Sequence, residues 1–405
     1  MFRNILFKIK NIKSLLLVWI TLTSTFPFIF YTWPYHPYKL LTFICLAIMS
    51  FFIILKKKIC ISKNLVVIIA LQIAFFFTIS ILFSEYRLLN NIIQLLSCII
   101  IIIYINGYVG FENFAQSYIR IMIFMGIGGV LTFITHLFIG VNPLLTVQYS
   151  STGTTYFLGL TTTNDYYNLD GLRFMRFAGF FDEPGAFALF ALFALLINKL
   201  YFNNKTYEFI LIFSTVFTFS MAFYIVIFVY FILFYFNKYY IKNWVFILTL
   251  VIILSSFFYK YSGDDNFVKA LKQNTIERFE GDGSGDFKGN NRAEAMKEDK
   301  ASFLDNPFFG VVEIQKVRGS NIYSILANFG IFGSVFYYIL LLYGIALILL
   351  ITDKAYFWVS IKIMILIGLN FFHRPEFAST FIFLIVYLLV YKFERMSIYR
   401  YKNLT

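Results

Sequence analysis

The sequence predicts an all-α polytopic membrane protein with about twelve transmembrane helices, because composition, apolar windows and charge distribution agree. Of its 405 residues, 60% are hydrophobic and only 14% are charged, whereas a soluble domain is about half apolar and about a quarter charged. That balance excludes a soluble enzyme, a disordered chain and a secreted disulfide scaffold. The three cysteines (Cys45, Cys60 and Cys98) lie in or beside apolar runs and form neither a disulfide framework nor a zinc pattern.

A transmembrane helix needs about 20 mostly apolar residues, and twelve windows meet or nearly meet this length. They are residues 14–31, 39–55, 65–83, 88–105, 117–139, 184–198, 207–219, 221–236, 244–259, 331–351, 356–371 and 377–391. The first follows basic residues but precedes no small-residue cleavage site, so we expect an uncleaved first span. The seventh and eighth windows are short and nearly continuous.

Lysine and arginine set the predicted orientation, because they accumulate in cytoplasmic segments. With the N-terminus inside, the inner segments carry most of the net charge of +13, and the short outer loops are nearly free of lysine and arginine. Both termini are then predicted to be cytoplasmic. The basic balance is therefore an orientation signal and not a nucleic-acid signature.

The predicted order is helices 1–5 (1–139), a long outer segment (140–183), helices 6–9 (184–259), a second long outer segment (260–330), and helices 10–12 with a cytoplasmic tail (331–405). The outer segments are polar, and lipid cannot satisfy their backbone groups. We therefore expect them to form a small outer-facing subdomain. The two halves of the chain do not match, which weakens an inverted-repeat transporter.

The second outer segment is expected to contain an amphipathic helix and a re-entrant helix. The amphipathic helix is predicted at Arg292–Leu304, and Asn306-Pro307 ends it. The residues expected on its packing face are Met296, Lys300, Phe303 and Leu304.

The first group of candidate functional residues lies where the first outer segment enters the sixth span. It comprises Arg173, Arg176, Asp182 and Glu183, followed by Pro184. Ionisable groups at a membrane boundary are costly. An N-cap role suits Asp182, and the first helical turn suits Pro184. Capping explains one acid but not two arginines, so we expect Arg176 and Glu183 to be functional.

Three further groups fall on the predicted outer face. They are Arg292 with Asp305–Gly310; Arg318-Gly319-Ser320-Asn321 followed by Gly330 and Gly333; and His373-Arg374-Pro375-Glu376. Solvated residues, a capped helix start and a head-group-level turn are the simpler alternatives. Arginines bind phosphate oxygens bidentately, and carboxylates or histidine accept protons. The other histidines, His36 and His136, are expected to be interfacial or packing residues.

The segment Arg176-x-x-Gly179-x-Phe181-x-Glu183-Pro184-x-x-x-Ala188 resembles the signature of O-antigen and exopolysaccharide polymerases (Wzy-type), a group related to the O-antigen ligases. The resemblance covers about 170–391. It continues through Arg292, Asn306-Pro307-Phe308-Phe309-Gly310, Ser320-Asn321, Gly330 and Gly333. The chain departs from the ligases at Ser320, where they carry their proposed histidine base.

The resemblance implies a metal-independent, GT-C-like glycosyltransferase without a cofactor in the bacterial cytoplasmic (inner) membrane. Its substrates would be a growing glycan on undecaprenyl pyrophosphate and a new lipid-linked repeat unit. The product would be O-antigen of lipopolysaccharide, capsule or exopolysaccharide. The expected catalytic residues are Glu183 and then His373. The residues expected to bind pyrophosphate and glycan are Arg173, Arg176, Arg292, Arg318, Asn321, Arg374 and Glu376.

Beyond its substrates, the polymerase would contact the lipid bilayer, a chain-length regulator and a flippase, but no nucleic acid. Two alternatives stay open. A lipid-linked oligosaccharide flippase also has about twelve spans, but it places its charges in a central cavity between similar halves. An O-antigen ligase is disfavoured by Ser320.

Overall fold

The computed structural model describes residues 2–23, 28, 44–51, 62–148, 154–169, 172–236, 292–311, 321–373 and 380–402. These residues are mostly helical. The helices are α1 (Phe2–Thr23), α2 (Lys63–Leu82), α3 (Leu89–Tyr104), α4 (Phe111–Phe138), α5 (Pro184–Ile197), α6 (Lys205–Val216), α7 (Met221–Tyr235), α8 (Arg292–Asp305), α9 (Tyr323–Tyr337), α10 (Ile339–Leu349), α11 (Lys354–His373) and α12 (Thr380–Lys402). Short π-helical turns extend α3 through Ile105–Val109 and α5 through Asn198–Phe202.

Several helices are long and apolar enough to cross a bilayer. Within the described residues they are Lys63–Leu82, Leu89–Val109, Phe111–Phe138, Pro184–Phe202 and Lys354–Phe371. A sixth candidate arises if α9 and α10, bent by 42° where they meet, form one broken span. These helices are consistent with a polytopic membrane protein. The count of twelve spans and their orientation remain predictions.

Two of the predicted spans are shorter than a full crossing. The windows at 207–219 and 221–236 are separate helices, α6 with 12 residues and α7 with 15. The window at 244–259 lies outside the described residues. The predicted last span falls on α12, whose residues Phe381–Val390 are all buried. A helix that is apolar all round belongs in a protein interior or a membrane.

The chain forms two compact units, and the first contains Met1–Phe124, Leu192–Phe209 and Glu294–Thr405. In it, α10 packs against α11 and α12, while α2 packs against α3 and α9. The α2–α9 contact includes stacked rings of Phe75 and Phe336, 5.4 Å apart. It also has one polar contact, in which Gln72 Nε2 donates to Tyr337 O at 3.1 Å.

The second unit contains Met125–Ala191 and Ile210–Ala293. Its described part has five short strands, β1 (Leu145–Gln148), β2 (Thr154–Phe157), β3 (Thr162–Thr163), β4 (Tyr166–Leu169) and β5 (Leu172–Met175). The first three form one antiparallel sheet, and β4 and β5 form a hairpin. The all-α prediction is wrong in this segment. Its β-branched and aromatic residues favour strands.

The helix predicted at Arg292–Leu304 is present as α8, but its packing face is wrong. Buried positions include Ala295 and Asp299, whereas Met296 is 38% and Leu304 is 63% exposed. The buried face is thus shifted by one residue from the expected one, towards the carboxylate of Asp299.

Candidate functional site

The two arginines of the first predicted group hold the C-terminal ends of two helices. Arg173, on β5, donates from Nη1 to the carbonyl of Phe138, the last residue of α4, at 3.0 Å. Arg176 donates from Nε to Thr218 O at 3.2 Å and from Nη2 to Phe219 O at 3.0 Å, just beyond the end of α6. Such carbonyls lack helical donors and lie at the negative end of the helix dipole. These contacts give both arginines a structural role, in which Arg176 is buried whereas Arg173 stays exposed.

Arg176 also carries an ion pair inside the second unit. Its Nη1 lies 3.6 Å from Asp165 Oδ2, and its backbone N–H donates to Asp165 O at 3.1 Å. The residue is only 9% exposed, and a buried guanidinium requires such partners. Arg176 thus joins three stretches of chain: the one before β4, the one after β5 and the one after α6.

The glycine of the motif makes a tight turn between β5 and α5. Gly179 has φ +59°, and a Cβ there would collide with the ring of Phe187. Its carbonyl accepts from Thr162 N at 2.6 Å and from the hydroxyls of Thr161 and Thr162 at 3.1 Å each. The Thr162 hydroxyl also contacts Phe181 O. The turn is followed by Phe180 and Phe181 and then by the two acids, Asp182 and Glu183, at the start of α5.

The residue before the first helical position of α5 is not the one expected. Helix α5 begins at Pro184, as predicted, and Ala186 N donates to Glu183 O at 3.1 Å. Glu183, not Asp182, is therefore the residue before the first helical position, and the predicted N-cap is one residue too early. Glu183 is half-buried, whereas Asp182 is buried. The helix N-terminus favours a negative group at Glu183.

A second polar group lies in the first unit, between α8 and the start of α9. Asn321 Nδ2 donates to the carboxylate of Asp299, which is 1% exposed. Asn321 Oδ1 accepts from Tyr323 N at 2.9 Å, and its carbonyl accepts from Ser324 Oγ at 2.8 Å. Burial raises the pKa of Asp299, and the hydrogen bond from Asn321 opposes that shift. Asn321 thus both accepts a hydrogen bond from the first N–H of α9 and holds a buried carboxyl.

We call Asn321, Ser324 and Asn328 the polar stripe, because they lie on one face at intervals of three and four residues. All three are buried. Among the described residues, Asn328 Oδ1 has no hydrogen-bond partner. Buried polar groups are costly unless they are bonded. The stripe therefore offers hydrogen-bonding capacity to a polar ligand.

The stretch Asn306-Pro307-Phe308-Phe309-Gly310 packs against a break in α9 and forms backbone hydrogen bonds with it. Gly330, at φ +61° and ψ −169°, interrupts the helix, and Gly310 has φ +71°. A Cβ on either glycine would overlap the backbone of the other segment. Backbone hydrogen bonds join Ile331 N to Pro307 O (2.8 Å), Phe332 N to Phe308 O (3.2 Å) and Val311 N to Ala327 O (2.9 Å). These motif residues therefore have a backbone role.

The remaining predicted residues are only partly placed. Arg292 is the first residue of α8 and His373 the last of α11. Arg318, Arg374 and Glu376 lie outside the described residues. His136 is buried, accepts from Val141 N at its Nδ1 (3.1 Å), and places Nε2 2.8 Å from Tyr167 O. These bonds confirm a packing role for His136.

Two residues that the sequence analysis missed are Asp165 and Asp299. Spacing within α8 did not mark Asp299, because its burial depends on Asn321, 22 residues later. No local pattern marked Asp165, because its partner Arg176 lies in another strand connection.

The chemistry available here is proton transfer and hydrogen bonding. Glu183 and Asp299 are carboxyls that can accept or donate a proton. In the part of the chain that the structure describes, no group of three or more His, Cys, Asp or Glu side chains could hold a metal ion.

A scan against protein-family models finds no match to the chain. A search of curated proteins finds none that is significantly similar. The resemblance to the polymerases rests on the motifs quoted above.

Proposed function

We propose that the chain is a polysaccharide polymerase of the bacterial cytoplasmic membrane, with a GT-C-like fold of about twelve spans. The observation that carries the proposal is the polar stripe of Asn321, Ser324 and Asn328, which lies beside the buried carboxyl of Asp299 on α8. Buried amides and hydroxyls are costly unless they are hydrogen-bonded, and Asn328 Oδ1 has no partner among the described residues. Sugar hydroxyls, which both donate and accept, suit such a face. The order of the motifs from Arg176 to Gly333 adds support.

The proposed reaction transfers the growing glycan from undecaprenyl pyrophosphate to a new lipid-linked repeat unit. The acceptor hydroxyl oxygen bonds to the donor anomeric carbon. The bond from that carbon to the phosphate oxygen breaks, and its electron pair leaves with undecaprenyl pyrophosphate. The hydroxyl proton passes to a carboxylate, and the transition state has oxocarbenium character.

In this proposal Glu183 is the base and His373 the second candidate. Arg173, Arg292, Arg318 and Arg374 neutralise the charge that develops on the leaving pyrophosphate; Glu376 and Asn321 help to hold the glycan. For Arg176, the contacts with Asp165 and the end of α6 supply a structural reason that competes with a role in pyrophosphate binding.

Incubation of the purified protein with a lipid-linked repeat unit tests the proposal, with a ladder of polymer on a gel as the readout. Glu183→Gln keeps the shape of the side chain but removes the base, so polymer formation is expected to fall by about 100-fold or more. Glu298→Gln, an exposed change on α8, is the control and is expected to give a normal ladder.

A full ladder from the Glu183→Gln variant at normal protein levels would refute the base assignment. A flippase is distinguished in cells, because loss of a polymerase leaves single repeat units on the surface. Loss of a flippase leaves no repeat units outside, and that result would refute the polymerase.

A further inference from the structure

A cavity of about 250 Å³ lies in the first unit, where the ends of several helices meet. It is lined by the π-helical turn after α3, the start of α4, the π-helical turn after α5, and α12. Its lining residues are Asn106, Gly110, Phe111, Glu112, Asn113, Tyr201, Tyr391, Lys392 and Arg395. Pockets for drug-sized ligands are larger, about 300–1,000 Å³. The volume therefore suits a small chemical group.

Two cations of α12 line this cavity against aromatic rings. Lys392 Nζ lies 4.9 Å from the ring centroid of Tyr201, and Arg395 Cζ lies 5.9 Å from that of Tyr391. Neither forms an ion pair with any residue that the structure describes. Glu112 is the acid among the lining residues, so these side chains give the cavity a net positive charge of one.

The start of α4 adds to this positive field. Gly110, at φ +86°, turns the chain into the helix, and Phe114 N donates to Gly110 O at 3.1 Å. The N–H groups of Phe111, Glu112 and Asn113, in the first turn of α4, have no carbonyl within the helix to bond. They form the positive end of the helix dipole, which favours an anion.

We propose that this cavity binds the phosphate group of a membrane-lipid head group. Three candidate spans, Leu89–Val109, Phe111–Phe138 and Pro184–Phe202, each have one end at the cavity. The rings of Phe111 and Tyr391, 4.1 Å apart, lie beside it. Aromatic and cationic side chains at span ends are typical of the head-group level of a bilayer.

This site is separate from the proposed transfer reaction. Under the predicted orientation it lies at the cytoplasmic ends of the spans, whereas the reaction is assigned to the outer segments. Its failure would therefore leave the polymerase proposal standing, and the reverse also holds.

The test titrates dioctanoyl-phosphatidylglycerol into the full-length protein in an uncharged detergent and measures the apparent Kd. Parallel titrations use dioctanoylglycerol, which lacks the phosphate, and inorganic phosphate, which lacks the lipid. We expect saturable binding of the phospholipid alone. Each cation near an anionic head group contributes about fivefold, so the double variant Lys392→Gln/Arg395→Gln is expected to bind about 25-fold more weakly.

Glu112→Gln keeps the test independent of folding, because it raises the net charge of the cavity. It is expected to tighten binding by about fivefold, which a damaged fold cannot do. The matched control is Lys300→Gln, at an exposed position on α8, and it is expected to leave the Kd unchanged.

Three results would overturn the proposal. One is an equal loss of binding in the Lys300→Gln control, which would indicate general surface attraction. Another is unchanged or weaker binding in Glu112→Gln. The third is binding of inorganic phosphate with the same dependence on Lys392 but no binding of the phospholipid, which would assign the site to a soluble phosphate.

Discussion

Replacement of Arg176 by alanine separates a structural role from a chemical one. The change removes the two hydrogen bonds to Thr218 O and Phe219 O and the ion pair with Asp165. Removing one partner of a buried pair costs about 3–5 kcal/mol. Water can reach the Asp165 side chain, because it is 18% exposed. We therefore expect the free energy of unfolding to fall by about 3 kcal/mol, at the lower end of that range.

Graded variants give the expected order of stability. Arg176→Lys keeps a positive charge near Asp165 but loses the planar guanidinium. The free energy of unfolding is therefore expected to fall by about 1–2 kcal/mol. Arg173→Ala removes one exposed hydrogen bond and is expected to cost about 1 kcal/mol or less. Adding Asp165→Asn to Arg176→Ala removes the unpaired carboxylate and is expected to recover about 1 kcal/mol.

The assay is the Tm of each purified variant in detergent, together with its level in the membrane and the polymer it makes. A structural role predicts that polymer falls in step with Tm and is partly restored by the Asp165→Asn change. The reasoning is refuted if Arg176→Ala abolishes polymer while Tm and protein level match the wild type. That outcome would return Arg176 to the pyrophosphate-binding residues.

Two further predictions concern the first unit. Gly330→Ala forces a side chain into φ +61° and against the backbone of Phe308, so it is expected to lower stability by about 2–4 kcal/mol. Gly368→Ala, with nothing within 4 Å of its added Cβ, is the control, and its Tm is expected to stay or rise; equal losses would contradict the clash. The raised pKa of Asp299 means that the folded state binds this proton more tightly than the unfolded state does. That stabilisation is present below the unfolded pKa near about 3.9 and is lost as pH rises through the folded value. The Tm of the wild type is therefore expected to fall relative to Asp299→Asn as pH rises above about 4, and a constant difference would contradict it.

The fold was predictable where the signal was local. The bounds of α8 followed from its start at Arg292 and from Asn306-Pro307, which stops a helix. Its face did not follow, because the burial of Asp299 depends on Asn321, 22 residues later. The strands at 145–175 were missed since the segment's polarity suggested a loop, although its threonines and tyrosines favour strands.

The arginines show why the site was harder to predict than the spans. The sequence reveals that Arg173 and Arg176 are charges at a membrane boundary. It does not reveal that they donate hydrogen bonds to main-chain carbonyls 35 to 43 residues away. Such partners have no side-chain pattern to find. The order of residues along the chain therefore predicts that an arginine needs partners, and only the fold decides whether they are a ligand or a helix end.

The motif residues therefore fall into two groups, those with a structural role and those proposed to act in the reaction. The contacts of Gly179, Gly310, Gly330 and Arg176 hold turns and helix ends together, so a variant at any of them changes stability and activity alike. Glu183 and Asn321 are instead the residues to which the proposed function gives the base and a contact with the glycan. A polymerase with Glu183 as its base must lose polymer in Glu183→Gln with little change in Tm, whereas an unrelated membrane protein on the same scaffold has no reason to separate the two readouts.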